Sequence, residues 1–121
     1  MVYVIVVHLY ANDNAEDIKK LIAKLQEASQ VYSKDKECLS WFVSQDTKDP
    51  RAFTIVERYA EESSQKYHLE NPYWQTFDPY VKPLLAKEMD LRRVVELDTS
   101  TEVRVEKDEK LWEEVKKHQT Y

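Results

Sequence analysis

The sequence predicts one small α+β domain with the element order β-α-β-β-α-β, followed by a short C-terminal extension. Three features predict it: a β-branched opening strand, a helix with its apolar residues on one face, and two alternating strand-like runs separated by a turn. The chain has 121 residues, a usual size for one domain. Hydrophobic residues make up 42% and charged residues 34%, which indicates a thin core with a heavily charged outside.

The first strand is predicted from Val2 to Tyr10, where both parities are apolar, as in strands that are buried on both faces. Asn14 then has the side chain of a helix N-cap. The helix that follows has apolar residues at helical spacing on one face, namely Ile18, Leu21, Ile22, Leu25, Ala28 and Tyr32.

Two alternating runs come next, joined by a turn cluster at 46–50, and they predict a hairpin. In the first run, Leu39, Trp41 and Val43 are expected on one face. In the second, one face is expected to carry Phe53, Ile55, Glu57 and Tyr59. Helical segments between residues 60 and 85 and a strand at 89–97 complete the unit.

This order over residues 2–97 is that of a ferredoxin-like domain, which lays its helices on one side of a four-stranded antiparallel sheet. The other sheet face needs a cover, and apolar residues such as Phe42, Val56 and Val94 predict that a second copy supplies it. We therefore predict a domain at 1–97 and an extension at 98–121. The extension, a strand-like stretch and a thin helix, is expected to pack on the domain or on the partner subunit.

Composition argues against several function classes. The net charge is −5 and basic residues are not clustered, so nucleic acid and anionic membranes are not expected partners. No run approaches the ~20 apolar residues of a membrane helix. The chain has one cysteine, Cys38, and no glycine, which argues against disulfides, multi-thiolate metal sites and glycine-rich phosphate loops. A cytoplasmic setting is the default expectation.

Several short motifs lie between Phe53 and Leu85. They are a strand that ends in Glu-x-aromatic, an acidic helix start, a histidine at the end of that helix, an Asn-Pro-Tyr stretch and a Pro-Leu-Leu stretch. In these motifs the chain resembles the antibiotic biosynthesis monooxygenase family, whose members are small dimeric α/β barrels.

The resemblance implies oxygenation of an aromatic polyketide, quinol or similar electron-rich ring with molecular oxygen, without metal, flavin or haem. Family oxygenases often carry Trp where this chain has Tyr59. Haem-degrading relatives resemble one another in an Asn–Trp–His set, and the first strand here has His8 as its polar residue and no Asn. Haem degradation is therefore not expected.

The candidate catalytic residues are His68, Glu57 and Tyr59. An imidazole exchanges protons near neutral pH, which suits His68 as a base for a phenolic proton. The alternative is that His68 caps its helix or binds Glu57 or a backbone carbonyl. Glu57, on an apolar face, needs a partner or a raised pKa. A structural ion pair with Arg92 or Arg93 is the alternative for that carboxylate.

The candidate substrate-binding residues are those expected to line a flat pocket for a planar ring: His8, Trp41, Tyr67, Tyr73, Trp74 and Phe77. The alternative is that the aromatic residues form core. His8 would line the pocket from one sheet face or lie in a dimer interface on the other. No metal site is predicted, because His8 and His68 have no third ligand beside them in the sequence.

The leading hypothesis is a cofactor-independent monooxygenase, active as a homodimer on an aromatic small molecule. Two alternatives stay open. One is a non-oxidative isomerase, decarboxylase or cyclase of a secondary metabolite, and the other is a non-catalytic dimeric binding or stress-response protein.

Overall fold

The computed structural model describes residues 1–118 and confirms the predicted α+β order. Four strands, β1 (Tyr3–Tyr10), β2 (Cys38–Gln45), β3 (Ala52–Tyr59) and β4 (Asp90–Val95), form one antiparallel sheet in the spatial order β2-β3-β1-β4. The helices are α1 (Ala15–Tyr32), α2 (Gln65–Glu70), α3 (Trp74–Val81) and α4 (Glu109–Lys117), with 3-10 turns at Glu62–Ser64 and Lys82–Leu84. In the described part of the chain, no helix combines the length and apolarity that crossing a membrane requires.

The core lies between one face of the sheet and the helices α1 and α3. Strand β1 pairs with β3 on one side and β4 on the other, so it sits at the centre of the sheet. Its odd-numbered side chains are all buried on the helix side: Tyr3, Ile5, Val7 and Leu9. The other parity lies on the opposite surface, which is called the outer face below.

Helix α1 begins and packs as the sequence predicts. The Asn14 side chain accepts a hydrogen bond from the backbone N–H of Asp17 at 2.8 Å, which satisfies one of the free donors of the first turn. The buried residues of α1 recur at helical spacing and face the sheet: Leu21, Leu25, Ala28 and Tyr32. Tyr32, at the last position of the helix, reaches the aromatic side chains of the site described below.

The predicted alternation in β2 is wrong at its first residues. The pairing of β2 with β3 shifts register between Cys38 and Ser40, so one extra residue enters the strand and the parity changes. Leu39, which was expected on the same face as Trp41, is 50% exposed, whereas Cys38 packs against the core. A bulge is a pairing property of two strands, and the sequence of one strand does not reveal it.

The outer face carries an apolar patch that is exposed at its β2 and β4 edges and buried at Val4. Phe42, Val56 and Val6 lie side by side across three strands, and Val94 of β4 lies in the neighbouring row beside Val4. Phe42 is 64% exposed and Val94 is 47% exposed. We call these five residues the outer apolar patch. A patch of this kind on a sheet is typical of an interaction surface.

The C-terminal extension is exposed throughout its described part, residues 98–118. Asp108 caps the start of helix α4, and its side chain accepts a hydrogen bond from the Leu111 N–H. Its apolar side chains, Leu111, Trp112 and Val115, are each at least half exposed. Packing on the domain or on a partner stays a prediction, and residues 119–121 of the predicted extension lie outside the described residues.

The bulge in β2 can be tested by two matched substitutions. Leu21→Ala removes a fully buried side chain and should lower the free energy of unfolding by about 2–5 kcal/mol. Leu39→Ala makes the same chemical change at the exposed position and should cost less than about 1 kcal/mol. Urea denaturation followed by circular dichroism measures both. A large loss for Leu39→Ala would contradict the bulged register.

Candidate active site

A cavity of about 430 Å³ lies between the helix side of the sheet and the segment that contains α2 and α3. Strands β1, β2, β3 and β4 all contribute to its floor, and His68 and Trp74 come from the helical side. Most of its lining is apolar or aromatic. The His68 imidazole and the Arg93 guanidinium group also line it, beside the buried carboxyl of Glu57. Such a composition is typical of a pocket for a small organic ligand.

Glu57 reaches this cavity because of its parity in β3. It follows the buried Phe53 and Ile55 at intervals of two, and it lies in one cross-strand row with Trp41, Ile5 and Arg93. Glu57 is only 5% exposed. Burial raises the pKa of its carboxyl, and Tyr59, His68, Trp41 and Arg93 oppose that rise. The carboxyl is therefore held near apolar groups, where ionising it costs more free energy than it does in water.

Tyr59 lies behind Glu57, fully buried, and holds the carboxyl in place. The Tyr59 hydroxyl donates a hydrogen bond to Glu57 Oε1 at 2.6 Å. Burial and the neighbouring Glu57 charge raise the pKa of Tyr59 well above its usual range. Tyr59 therefore stays protonated and acts as a hydrogen-bond donor and not as a base.

His68 lies in the last turn of α2 with its imidazole between two carboxyl groups. Its Nε2 is 3.9 Å from Glu57 Oε1, and its Nδ1 is 3.6 Å from Asp35 Oδ2. The side chain is 16% exposed and faces the cavity. The Tyr32 ring packs against the imidazole with 4.2 Å between the ring centroids. His68 is thus positioned for proton exchange with a ligand in the cavity.

Aromatic rings form the wall around these polar groups. The Tyr32 and Trp41 rings lie 4.9 Å apart with a 42° tilt, and Trp41 meets Phe77 nearly edge-on at 6.4 Å. Trp74 lies at the opening and is 44% exposed. The Trp41 indole N–H is buried beside Glu57 and Tyr59 and helps to lower the pKa of both.

The structure brings together five of the predicted site residues around this cavity: Glu57, His68, Trp41, Trp74 and Phe77. Tyr67 and Tyr73 do not line it. Lys36 and Lys66 each place an ammonium group over the Tyr67 ring. The Tyr73 ring packs edge-on against Tyr32, and its hydroxyl donates to a Glu27 carboxylate. Both tyrosines support the surroundings of the cavity rather than its surface.

His8 does not belong to this cavity, contrary to the prediction that it binds the same substrate. Val7 and Leu9 point to the helices, so the alternation of β1 places His8 on the outer face. There its Nδ1 lies 3.2 Å from Thr54 Oγ1, and it lines a separate groove of about 630 Å³. Both sets of alternating side chains in β1 are largely apolar, so the sequence does not show which face of the sheet carries His8.

Two residues near His68 give no sign of a functional role in the sequence. Tyr32 ends the apolar stripe of α1, which predicts a core residue, and the structure also places it in the cavity wall. Asp35 lay in a polar loop, where nothing in the sequence distinguishes it from its neighbours. Arg93, predicted only as a structural partner of Glu57, lines the cavity, whereas Arg92 lies on the outer face and pairs with Asp90.

Cys38 does not provide a nucleophile. It is half-buried beside Asp35 and Glu57, and burial raises the pKa of its thiol to about 11. The thiolate that nucleophilic chemistry needs is therefore suppressed at neutral pH. Among residues 1–118, no group of three or more His, Cys, Asp or Glu side chains is placed to hold a metal ion.

Comparisons with known proteins agree with this fold. The family model described as antibiotic biosynthesis monooxygenase matches residues 1–79. No curated protein sequence matches the chain. Among solved structures, the Rv0793 protein of Mycobacterium tuberculosis is similar with a TM-score of 0.73 at 15% identity, over 84% of this chain and 100% of that one.

Two further solved structures carry the family description. A Deinococcus radiodurans protein described as a candidate antibiotic biosynthesis monooxygenase has a TM-score of 0.73 at 22% identity, over 86% of this chain and 100% of its own. A Chloroflexus aurantiacus protein with the same description has a TM-score of 0.63 at 30% identity, over 81% of this chain and 97% of its own.

Glu57→Gln tests the burial of the carboxyl. Because burial raises the pKa of Glu57, ionising it costs the folded state free energy, and that loss develops as pH rises from the ordinary value of 4.5 through the raised one. The substituted amide keeps an acceptor oxygen for Tyr59 and does not ionise. The variant should match the wild type in acid and exceed its unfolding free energy by about 1 kcal/mol or more at alkaline pH.

Urea denaturation at a series of pH values measures this difference, with Glu62→Gln, at an exposed position, as the matched control. The control should follow the wild type at every pH. A Glu57→Gln variant that is less stable than the wild type at alkaline pH would show that the carboxylate is held by stronger partners than those described.

Proposed function

The chain belongs to the antibiotic biosynthesis monooxygenase family, and we propose that it oxygenates an electron-rich aromatic, quinol or polyketide-like small molecule with molecular oxygen and no cofactor. Family membership supports oxygen as the second substrate. The observation that carries the proposal is His68, which faces an aromatic cavity beside the buried Glu57.

In the proposed reaction, His68 takes the proton of a phenolic or enolic hydroxyl of the bound ring. The aromatic wall of Tyr32, Trp41 and Phe77 packs on the planar substrate and excludes water, so the anion forms in a poorly solvated place. An electron-rich anion of this kind is a good one-electron donor to oxygen.

The remaining steps belong to the substrate and oxygen. The anion transfers one electron to O₂, and the carbon radical and superoxide combine into a peroxide that is protonated. Loss of water from this peroxide leaves a carbonyl. A CH₂ group and O₂ thus become C=O and H₂O, so one oxygen atom enters the product and the other leaves as water. His68, protonated in the first step, is the proton donor for the peroxide.

Oxygen uptake with an anthrone probe, 1,8-dihydroxyanthrone, tests the proposal. The wild type should accelerate uptake over the uncatalysed oxidation, and with ¹⁸O₂ one labelled atom should appear in the quinone. His68→Gln should lower the catalysed rate by about 10²-fold or more, since a positioned base contributes roughly 10²–10⁴. The control is His118→Gln, a change in the exposed extension.

Two results would contradict the proposal. Equal rates for wild type and His68→Gln would remove His68 as the base. Turnover of the probe under strict exclusion of oxygen would favour the non-oxidative isomerase, decarboxylase or cyclase instead.

We also propose that the chain acts as a homodimer in which the outer apolar patch of one copy packs on that of the other. The patch lies across all four strands and exposes side chains such as Phe42 and Val94. Self-association through like surfaces forms a closed pair and leaves the cavity, on the opposite face, accessible. In this arrangement 1–97 form the domain, and 98–121 attach to the partner through side chains such as Trp112.

Phe42→Lys should convert the dimer into a monomer, because it places a charge at the most exposed side chain of the patch, on the edge strand β2. Leu69→Lys makes a similar change on α2, at a side chain that is 61% exposed, and should leave the dimer intact. Sedimentation velocity at micromolar concentration measures both. A monomeric wild type, or a dimer that both variants retain, would refute the interface.

A further inference from the structure

Asp35 lies behind His68, away from the cavity, and its carboxylate is anchored on one side only. It follows α1 in the turn that leads to β2. Asn71, at the end of α2, donates from its Nδ2 to Asp35 Oδ1 at 2.7 Å. The other oxygen, Oδ2, is buried and has no hydrogen-bond partner within residues 1–118. Asp35 therefore keeps one free acceptor beside the imidazole.

His68 offers a matching group. Its Nδ1 is also buried without a hydrogen-bond partner in the described chain, and it lies 3.6 Å from Asp35 Oδ2. The Tyr32 ring, 4.2 Å away between centroids, packs on the imidazole and limits its rotation. Two buried polar atoms that face each other in this way gain a charge-assisted hydrogen bond when they approach by about half an ångström.

We propose that Asp35 is a positioning residue that fixes the tautomer of His68. A carboxylate oxygen only accepts, so it selects the imidazole form that carries its proton on Nδ1. Nε2 then keeps its lone pair and points toward Glu57 and the cavity. Without Asp35 a neutral imidazole could place its proton on Nε2, where it would block the base. The catalytic meaning of this tautomer rests on the proposed function, but the tautomer itself does not.

Glu57 lies on the other side of the ring. Its Oε1 is 3.9 Å from Nε2 and accepts a hydrogen bond from the Tyr59 hydroxyl at 2.6 Å. Nε2 is thus the ring nitrogen on the side of Glu57 and the cavity, and Nδ1 is the one on the side of Asp35.

Asn71 holds the Asp35 carboxylate beside His68. Its Oδ1 accepts from the backbone N–H of Tyr73 at 3.0 Å, which leaves its Nδ2 as the group that faces Asp35. The amide is thus held in one orientation by the start of the next helical segment. This orientation also decides what an asparagine at position 35 would do: its carbonyl oxygen would accept from Asn71, and its NH₂ would face His68 Nδ1.

Asp35→Asn therefore should reverse the tautomer, because an NH₂ group facing Nδ1 requires a lone pair there. Long-range ¹H–¹⁵N correlation spectra of the ¹⁵N-labelled full chain report which ring nitrogen is protonated. In spectra recorded at alkaline pH, the wild-type His68 should show the proton on Nδ1. Asp35→Asn should show it on Nε2, and Asp78→Asn, the same change elsewhere in the cavity wall, should keep it on Nδ1.

An Nε2-protonated wild type, or an unchanged tautomer in a folded Asp35→Asn variant, would overturn the inference. Should Asp35→Asn not fold, Asn71→Ser tests the same arrangement by removing the anchor of Asp35, and it should give a mixture of both tautomers. Retention of the pure wild-type form in Asn71→Ser would then refute the inference.

Kinetics separates this inference from the proposed function. With the anthrone probe, Asp35→Asn should lower kcat by at least about tenfold with KM near the wild-type value, because the base is blocked while the cavity is unchanged. A reversed tautomer with unchanged oxygen uptake would keep Asp35 as the positioning residue and remove His68 as the base. An unreversed tautomer would overturn the role of Asp35 whatever the rate.

Discussion

Burial of the Glu57 carboxyl beneath the helical layer is the constraint on which the rest of the site depends. A carboxyl group that is 5% exposed must either hold its proton or find donors, and here burial raises its pKa while the Tyr59 hydroxyl donates to it at 2.6 Å. His68 and Arg93 face the same group. Tyr59, His68 and Arg93 are thus placed with respect to this one carboxyl.

The sheet has the cavity on one side and the outer face on the other. Successive residues of a strand point to opposite sides, so each position in a strand determines which surface its side chain joins. Along β1, Ile5 and Val7 face the cavity, while Val6 and His8 face outward. The same alternation sends Arg93 into the cavity, and its neighbour in β4 to the outer face. Ligand binding and self-association are therefore proposed for opposite faces of a single layer, so changes in the dimer surface should leave the site chemistry in place.

The residues around His68 come from parts of the chain that are distant in sequence but close in the fold. Asp35 follows α1, Glu57 belongs to β3, and His68 lies in the last turn of α2. The side-chain amide of Asn71 connects two of these segments through its bond to Asp35. Such a cluster forms only when the α1–β2 turn and the α2–α3 segment pack together over the sheet. The proposed proton-transfer site is therefore assembled by the folding of the chain.

The sequence by itself determined the element order, the α1 cap at Asn14 and the buried parity of β3, because these depend on local capping and on a period of two. It also pointed to Glu57 and His68 through short motifs. Only the tertiary structure decided the bulge at Leu39, the outward face of His8 and the place of Asp35 beside the imidazole. A bulge needs a partner strand, β1 is apolar on both parities, and Asp35 meets His68 from a distant part of the chain. Contacts of that kind arise from packing, which no local pattern encodes.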